Sequence, residues 1–307
     1  MREILKVREL KKSFGDKVVV NSISFSVERG SLFAFLGQNG AGKTTTINMA
    51  IGLMPKDGGE VIYDNTFDFS SYKEKIGVVF QNNILDDLLT VEENLLTYGV
   101  IYLNTKAQAK ARLEEIVELL SMKSFLKQRF KTLSGGQKRK AEIARALFMA
   151  PEILFLDEPT TGLDPKTRAE VWSIINKLRI ERKMTIFLTT HYMEEAGSAN
   201  YVAIIDKGNI VATGSPNELK TKYTYDRLIV TPIKEEEFLK QLEILKVNAI
   251  KVAKAYEIRI KNTINSITIL NSLKNNILFY EVLKGSMDDV FLSVVGEKIL
   301  GGEAAYE

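Results

Sequence analysis

The sequence predicts an α/β core built on a parallel sheet, followed by a smaller α+β unit. Three observations carry that expectation. Residues 31–36 are a continuous apolar run that ends in a glycine-rich loop and leads into a helical stretch, 44–53. Two short runs of buried-strand character, 153–156 and 185–189, flank a helical stretch at 166–181, the β-α-β rhythm of a parallel sheet with both faces covered. Beyond about residue 222 the alternation of strands and helices changes to a different pattern.

Taken in order, residues 4–10, 18–20 and 22–27 read as an antiparallel start, broken by the turn signal Gly15-Asp16. The N-terminus interleaves charges with apolar residues and has no continuous apolar region, so a signal peptide is not expected. Residues 91–103 and 107–120 carry apolar positions at helical spacing, and Gly135 opens a further helix through Leu147; together these predict a helical insertion over about 88–150. After Gly208 and the Gly214-Ser215-Pro216 turn, a short helix at 217–222 closes the first domain, giving domains 1–222 and 223–307. The second domain reads as strand 227–231, helix 234–245, strands 249–254 and 256–261, helix 264–274, strand 277–283 and helix 287–299. That βαββαβ order matches a ferredoxin-like unit with an added helix.

Composition narrows the chemistry. The 307 residues suit two domains, and the absence of cysteine removes disulfide frameworks, thiolate nucleophiles and Cys-ligated metals. A single histidine removes most zinc constellations. With 42 Lys+Arg against 39 Asp+Glu, the net charge of +3 gives no footprint for nucleic acid. No apolar stretch approaches the ~20 residues that span a bilayer, so no direct membrane insertion is expected and any membrane role runs through a partner.

Three motifs carry the chemistry. Gly37-Gln38-Asn39-Gly40-Ala41-Gly42-Lys43-Thr44 fits G-x-x-x-x-G-K-[ST] and lies between a buried strand and a helix. Its glycines let successive backbone N–H groups turn inward as an anion nest, and the helix start adds positive potential toward phosphate oxygens. Lys43 is then a point charge for terminal phosphates, and Thr44 offers a hydroxyl to Mg²⁺, which keeps several water and phosphate oxygens. The bland alternative is a glycine-rich turn with a chance lysine. The second motif is the apolar run at 153–156 ending in Asp157-Glu158, where a carboxylate emerges to reach a metal. In an extended chain Glu158 would face the opposite side, free to orient or deprotonate a water; alternatively the pair is a solvated strand end. Third, Leu133-Ser134-Gly135-Gly136-Gln137 opens a helix with a hydroxyl and two bare amides, an anion receptor or an ordinary Ser N-cap. A second phosphate-directed helix start has a use on the same nucleotide only when another copy presents it.

The string Leu133–Gln137, lying between Gly37–Thr44 and Leu156–Glu158, resembles the signature of ATP-binding cassette (ABC) ATPases over residues 1 to about 222. The resemblance extends to other positions. Phe14 is similar to the aromatic that stacks on adenine, and Gln81 to the glutamine that reaches Mg²⁺ and the attacking water and feels the transport subunit. Thr161-Gly162-Leu163-Asp164 resembles the loop that touches the opposing subunit, and His191 the switch histidine at the γ-phosphate. Gln38 stands where proline is frequent, and Thr44 replaces the commoner serine while keeping the hydroxyl. Near the C-terminus Gly285-Ser286-Met287-Asp288-Asp289-Val290-Phe291-Leu292, like the stretch from Asp86 to Leu95, resembles the drug-resistance type of exporter subunit.

The resemblance implies a P-loop NTPase cassette with a parallel core sheet, an antiparallel β subdomain and a helical insertion, taking ATP and Mg²⁺. It implies an ATP-hydrolysing exporter subunit, peripheral at the cytoplasmic face of the membrane, driving a separate transmembrane permease. ATP would be shared between two copies, as a homodimer or a heterodimer. The nucleotide-binding set is Phe14, Gly37, Gln38, Asn39, Gly40, Ala41, Gly42, Lys43, Thr44, Thr45, Gln81, Asp157 and His191 of one chain, with Ser134, Gly135, Gly136, Gln137 and Asp164 from across the interface. Thr44, Gln81 and Asp157 are the implied metal set, and Lys43, Gln81, Glu158 and His191 the implied catalytic set. Two other readings stand beside this one. In the first the same clamp acts on ribosomes or DNA, although the sequence has neither a second cassette nor long coiled-coil arms. In the second, residues 223–307 bind a regulatory small ligand; their simpler role is a dimer-stabilising appendage.

Overall fold

A computed structural model describes residues 2–64, 72–103 and 105–296. Its first two strands, β1 (Glu3–Phe14) and β2 (Lys17–Glu28), pair antiparallel around Gly15-Asp16, and the two runs expected at 18–20 and 22–27 form one strand. Ser22 and Glu9 take left-handed backbone conformations (φ 49 and 47) beside irregularities in the register, so the ribbon bulges without ending. The chain then runs through β3 (Leu32–Leu36), α1 (Lys43–Ala50) and β4 (Gly58–Tyr63), a strand the apolar pattern does not announce. β4 completes a three-stranded sheet of order β2-β1-β4.

The remaining elements of the first unit are β5 (Ile76–Val79), α2 (Val91–Tyr102), α3 (Lys106–Leu119), α4 (Gly135–Leu147), β6 (Ile153–Asp157), α5 (Pro165–Arg182), β7 (Thr185–Thr190), α6 (Met193–Gly197), β8 (Tyr201–Asp206) and β9 (Asn209–Gly214). Its central sheet has six strands in the order β5-β6-β7-β3-β8-β9, with β5/β6, β6/β7, β7/β3 and β3/β8 all parallel. Every residue of β3, β6 and β7 is buried, the pattern of strands covered on both faces. Alternation then sorts the side chains. Phe33, Phe35, Phe155 and Phe187 join Phe25 of β2 in a ring cluster, with Phe33 and Phe155 each 5.2 Å from Phe187. Leu32, Leu154, Leu156, Ile186 and Leu188 face the helical layer of α2 to α5. The expected insertion at 88–150 is thus a helical layer packed on one face of the sheet.

The chain divides into compact units at Thr213/Gly214, earlier than the expected boundary at 222. The physical reason is α7 (Pro216–Tyr223), capped by Ser215. It buries Leu219 and packs against α10 (Met287–Phe291) of the second unit, rather than closing the first. Between them run β10 (Asp226–Pro232), α8 (Glu235–Leu245), β11 (Ala249–Val252), β12 (Ala255–Ile260), α9 (Asn265–Leu273) and β13 (Ile277–Leu283). The sheet order β11-β12-β10-β13, antiparallel throughout, places the unit's first strand between its third and fourth, the ferredoxin-like arrangement expected from the βαββαβ order. Leu228, Val230, Phe238, Leu242, Tyr256, Ile258, Ile260 and Leu273 form this unit's own core. The helix expected to reach residue 299 passes from α10 into a π-helical turn at Leu292–Gly296, and its last residues lie outside those described.

Candidate active site

The glycine-rich loop leaves the C-terminal end of β3 and enters α1, whose first turn carries no acidic residue to oppose an anion. Two of its glycines are required by space. A Cβ on Gly37 would lie 2.5 Å from the Ile205 carbonyl oxygen, and Gly42, at φ 109, would place one 2.7 Å from that of Val19. Lys43 is 4% exposed and folds back, its Nζ donating to the carbonyls of Gly37 (2.8 Å) and Gln38 (3.0 Å). Gln38, Asn39, Gly40 and Thr44 are exposed, Thr45 is half-buried and Ala41 is buried, so the loop presents its rim to solvent above a packed base.

β6 and β7 deliver the acids and the histidine beside that loop. Asp157 ends β6 with its Oδ1 accepting from Thr189 Oγ1 (2.6 Å) and Thr44 Oγ1 (3.3 Å). Burial pushes its carboxyl above the ordinary carboxylate value, against the two hydrogen bonds, which favour the ionised form. Glu158 does not continue the strand alternation, as the sequence reading supposed. It sits in the left-handed region at φ 46, and that turn swings its side chain to the same site as Lys43. There Glu158 Oε1 lies 3.0 Å from Lys43 Nζ, while Oε2 accepts from Thr161 Oγ1 (3.1 Å) and lies 3.2 Å from His191 Nδ1. The His191 approach lacks hydrogen-bond alignment, and Nδ1 has no other partner among the described residues. Burial alone would raise the Glu158 carboxyl, but the hydrogen bond and charge of Lys43, with Thr161 and His191, hold it below the usual value.

Thr44 and Asp157 form a hard oxygen pair at the loop, too few to cage a cation unaided. That suits Mg²⁺, which retains water and takes phosphate oxygens rather than demanding an all-protein shell. Gln81, also expected to touch the metal, is exposed just beyond β5, and its backbone carbonyl accepts from Arg139 Nη2 at 3.1 Å. Phe14 is 49% exposed at the tip of the β1-β2 ribbon, with the Lys12 ammonium 5.6 Å from its ring centroid.

Ser134 to Gln137 and Asp164 form a separate cluster. Ser134 caps α4 in a reciprocal box: Gln137 N donates to Ser134 Oγ (3.3 Å) and Ser134 N donates to Gln137 Oε1 (2.9 Å). A Cβ on Gly136 would lie 2.4 Å from Thr167 Cγ2, so the α4 start is pressed onto α5. Asp164 is the N-cap of α5, accepting from Thr167 N at 3.1 Å, and those Thr167 hydrogen bonds hold its carboxyl below the ordinary value. The structure therefore joins Lys43, Thr44, Asp157, Glu158 and His191 directly, and keeps the Ser134 helix start and Asp164 as a second patch.

Sequence reasoning missed Thr189, whose Oγ1 donates to Asp157 Oδ1 (2.6 Å) and accepts from the Glu158 N–H (3.1 Å). It also missed Glu195, a buried carboxylate that accepts from Thr160, Thr190 and Trp172, tying the loop after Glu158 to the residue before His191. A threonine inside a β run carries no motif, and Glu195 looks like any acid in a helix's first turn; only the neighbouring strands reveal their partners.

A glycine loop on a helix start, a buried acid pair at the adjacent strand end and a histidine after the next strand define a nucleotide-hydrolysing P-loop cassette. A family described as ABC transporter matches residues 20–161, and one described as ATP-binding protein DrrA1-3-like, C-terminal domain, matches residues 214–295. The linearmycin resistance ATP-binding protein LnrL of Bacillus subtilis (strain 168) is 34% identical over 313 residues, 96% of this chain and 99% of the relative. The Nod factor export ATP-binding protein I of Paraburkholderia xenovorans (strain LB400) is 40% identical over 215 residues, 69% of this chain and 70% of the relative. Among solved structures, cbiO1 from Clostridium perfringens, part of the ABC transporter complex cbiONQ, superposes with a TM-score of 0.66 at 26% identity, covering 80% of this chain and 96% of that one. The cassette MJ0796, dimeric in a post-hydrolysis state with ADP and Pi bound, superposes with a TM-score of 0.63 at 26% identity over 69% of this chain and 98% of that one. The chain belongs to the ATP-binding subunits of ABC transporters, of the drug-resistance exporter type. It binds and hydrolyses ATP, and these relatives give no support to action on ribosomes or DNA.

Proposed function

We propose that this chain is the motor of an exporter of a drug, antibiotic, peptide or lipid-like substrate, held at the cytoplasmic face of the membrane by a transmembrane permease that is a separate protein. Its relatives include a linearmycin resistance ATP-binding protein and a Nod factor export ATP-binding protein, and no helix among the described residues is long and apolar enough to cross a membrane. The helical layer beside Gln81 is the surface we assign to the permease, and residues 214–296 are an accessory domain that steadies the dimer. The second copy is the same chain or a diverged sister.

The observation that carries this reading is the Lys43–Glu158–His191 contact beside the Thr44–Asp157 pair. Lys43 pairs with Glu158 and donates to two loop carbonyls. A γ-phosphate at the loop competes for that ammonium, and Glu158, released and ionised, is free to take a proton from the attacking water. His191 donates to the γ-phosphate, Gln81 orients the water, Phe14 stacks on the base, and the backbone from Gly37 to Thr45 cradles the phosphates. Mg²⁺, held by Thr44, Asp157 and Gln81, would neutralise the charge that develops on the phosphate oxygens. Ser134 to Gln137 and Asp164 of the second copy close the site, the Ser134 hydroxyl exchanging its internal cap for phosphate.

Glu158→Gln keeps the side chain's shape and removes its basicity. Turnover is expected to fall by about 10²–10⁴-fold while ATP binding persists, and size-exclusion chromatography with ATP should show a stable dimer. Undiminished hydrolysis would remove Glu158 from the base role, and an ATP-loaded chain that stays monomeric would break the shared-nucleotide reading.

A further inference from the structure

The glycine-rich loop and the β1-β2 ribbon meet at one small turn. Lys207-Gly208 closes the β8-β9 hairpin with both residues in the left-handed region (φ 46 and 79). Gly208 spends both of its backbone polar groups outside the hairpin. Its N–H donates to the Ala41 carbonyl (3.0 Å), and its own carbonyl accepts the Asn21 N–H of β2 (2.9 Å). Each bond answers a need set elsewhere. A loop whose amides turn inward to an anion leaves carbonyls pointing out, and that of Ala41 finds its donor here. In β2 the register passes from Val20 opposite Lys12 to Ile23 opposite Leu10, so the bulge of the ribbon falls at Asn21 and Ser22. The Asn21 amide therefore bonds to Gly208 instead of to β1.

Side chains repeat the tie. Asn21 Nδ2 donates to Asn209 Oδ1 (3.0 Å), and Asn209 Nδ2 donates to the Lys207 carbonyl (3.0 Å). Closing the hairpin requires none of this. Asparagine and aspartate also serve in such turns; what excludes them at 208 is the ribbon, because a Cβ there would lie 2.6 Å from the Val19 carbonyl oxygen. A Cβ on Gly42 would strike the same oxygen at 2.7 Å. Phosphate loop, turn and ribbon thus close on Val19 by backbone contact, with no side chain between them to adjust the spacing. Phe14 stands opposite Lys17, three residues before Val20 along β2, which is roughly 10 Å of strand from that meeting point.

We infer that Gly208, Asn21 and Asn209 are positioning residues that fix the distance between the phosphate loop and the ribbon tip, so that the chain favours a nucleoside triphosphate over a bare polyphosphate. This rests on the base contact proposed for Phe14. Two contacts held at a fixed separation act as one, since the second forms without a fresh loss of freedom. Slack between loop and ribbon forfeits that gain for the base and leaves the phosphates their own cradle.

Calorimetric titration of the full-length protein with adenylyl imidodiphosphate and with inorganic tripolyphosphate, each with Mg²⁺, separates spacing from general support. Asn21 and Asn209 are exposed, so Asn21→Ala and Asn209→Ala leave the core untouched. Each should weaken the nucleotide analogue by about 3- to 10-fold while tripolyphosphate stays within about 1.5-fold. The double variant should lose no more than either single one, because the two side chains share one bond. Gly208→Ala should cost the analogue about 10- to 100-fold and tripolyphosphate less. In steady-state ATPase assays the asparagine variants should raise KM by the factor seen for the analogue, with kcat within about twofold. An equal loss for both ligands would make the turn a support of the loop and overturn the inference, as would unchanged analogue affinity in both asparagine variants. Phe14→Ala tests the base contact by itself. Wild-type analogue binding there would remove Phe14 from the site, and the split between the two ligands in the asparagine variants would then decide the spacing role alone. Where Phe14→Ala does weaken the analogue, adding Asn21→Ala should cost little more, and a full further loss overturns the link to the ribbon tip.

Discussion

Glu158 owes its position to a backbone conformation that L side chains rarely adopt, and the cost of that turn, about 1–3 kcal/mol, is met by the contacts it brings: Lys43, Thr161 and the Thr189 carbonyl and hydroxyl around its amide. Thr189 serves both acids. Thr189→Val keeps the shape but removes the hydroxyl from Asp157 and from the Glu158 N–H. We expect kcat to fall about tenfold, the consequence of losing roughly 1.4 kcal/mol of positioning, with nucleotide affinity nearly unchanged in equilibrium titration. Gly42→Ala forces a Cβ to within 2.7 Å of a backbone oxygen at φ 109, and should abolish nucleotide binding in the same assay. Asp164→Ala deletes the α5 cap, and chemical denaturation should show a loss of about 0.5–2 kcal/mol. The residues of the glycine loop were legible because their backbone chemistry requires those types at that spacing. Thr189, Glu195 and Arg139 were not, because their partners lie on other strands and loops.

At the scale of elements, the buried runs of β3, β6 and β7 and the helices α2 to α5 match the reading from apolar periodicity, since each is covered on the faces its pattern declares. β4 escaped notice because its buried residues come only at its end, after two glycines; it is a strand because β1 offers it a ladder. Phe187 sits at the hub of the ring cluster between β2, β3 and β6, so Phe187→Ala should cost about 3–5 kcal/mol in urea unfolding. Glu152 ties the strand starts together. Burial would raise its carboxyl, but the hydrogen bonds of Arg29 and Lys75 and their charges lower it to about 2 from the ordinary 4.5. A carboxyl depressed in the folded state stabilises above its unfolded value and loses that contribution as pH falls through the folded value. The stability gap between wild type and Glu152→Gln should therefore be full at neutral pH, narrow below about 4.5 and close near 2, as read from denaturation midpoints across that range.

The whole molecule is two units with separate cores, and every residue from Lys43 to His191 that builds the hydrolytic cluster lies in the first. A chain ending at Thr213 should thus retain ATP affinity within a fewfold in fluorescent-nucleotide titration, whereas loss of binding would mean that the second unit completes the site. The sequence alone was enough to establish the nucleotide chemistry, the α/β and ferredoxin-like classes and the two-unit plan, because backbone geometry, residue type and apolar period are local properties written along the chain. The tertiary structure decided where the units part, which turn carries Glu158 to Lys43 and which helix holds Gln81, because those outcomes depend on side chains meeting across distances that linear order does not record.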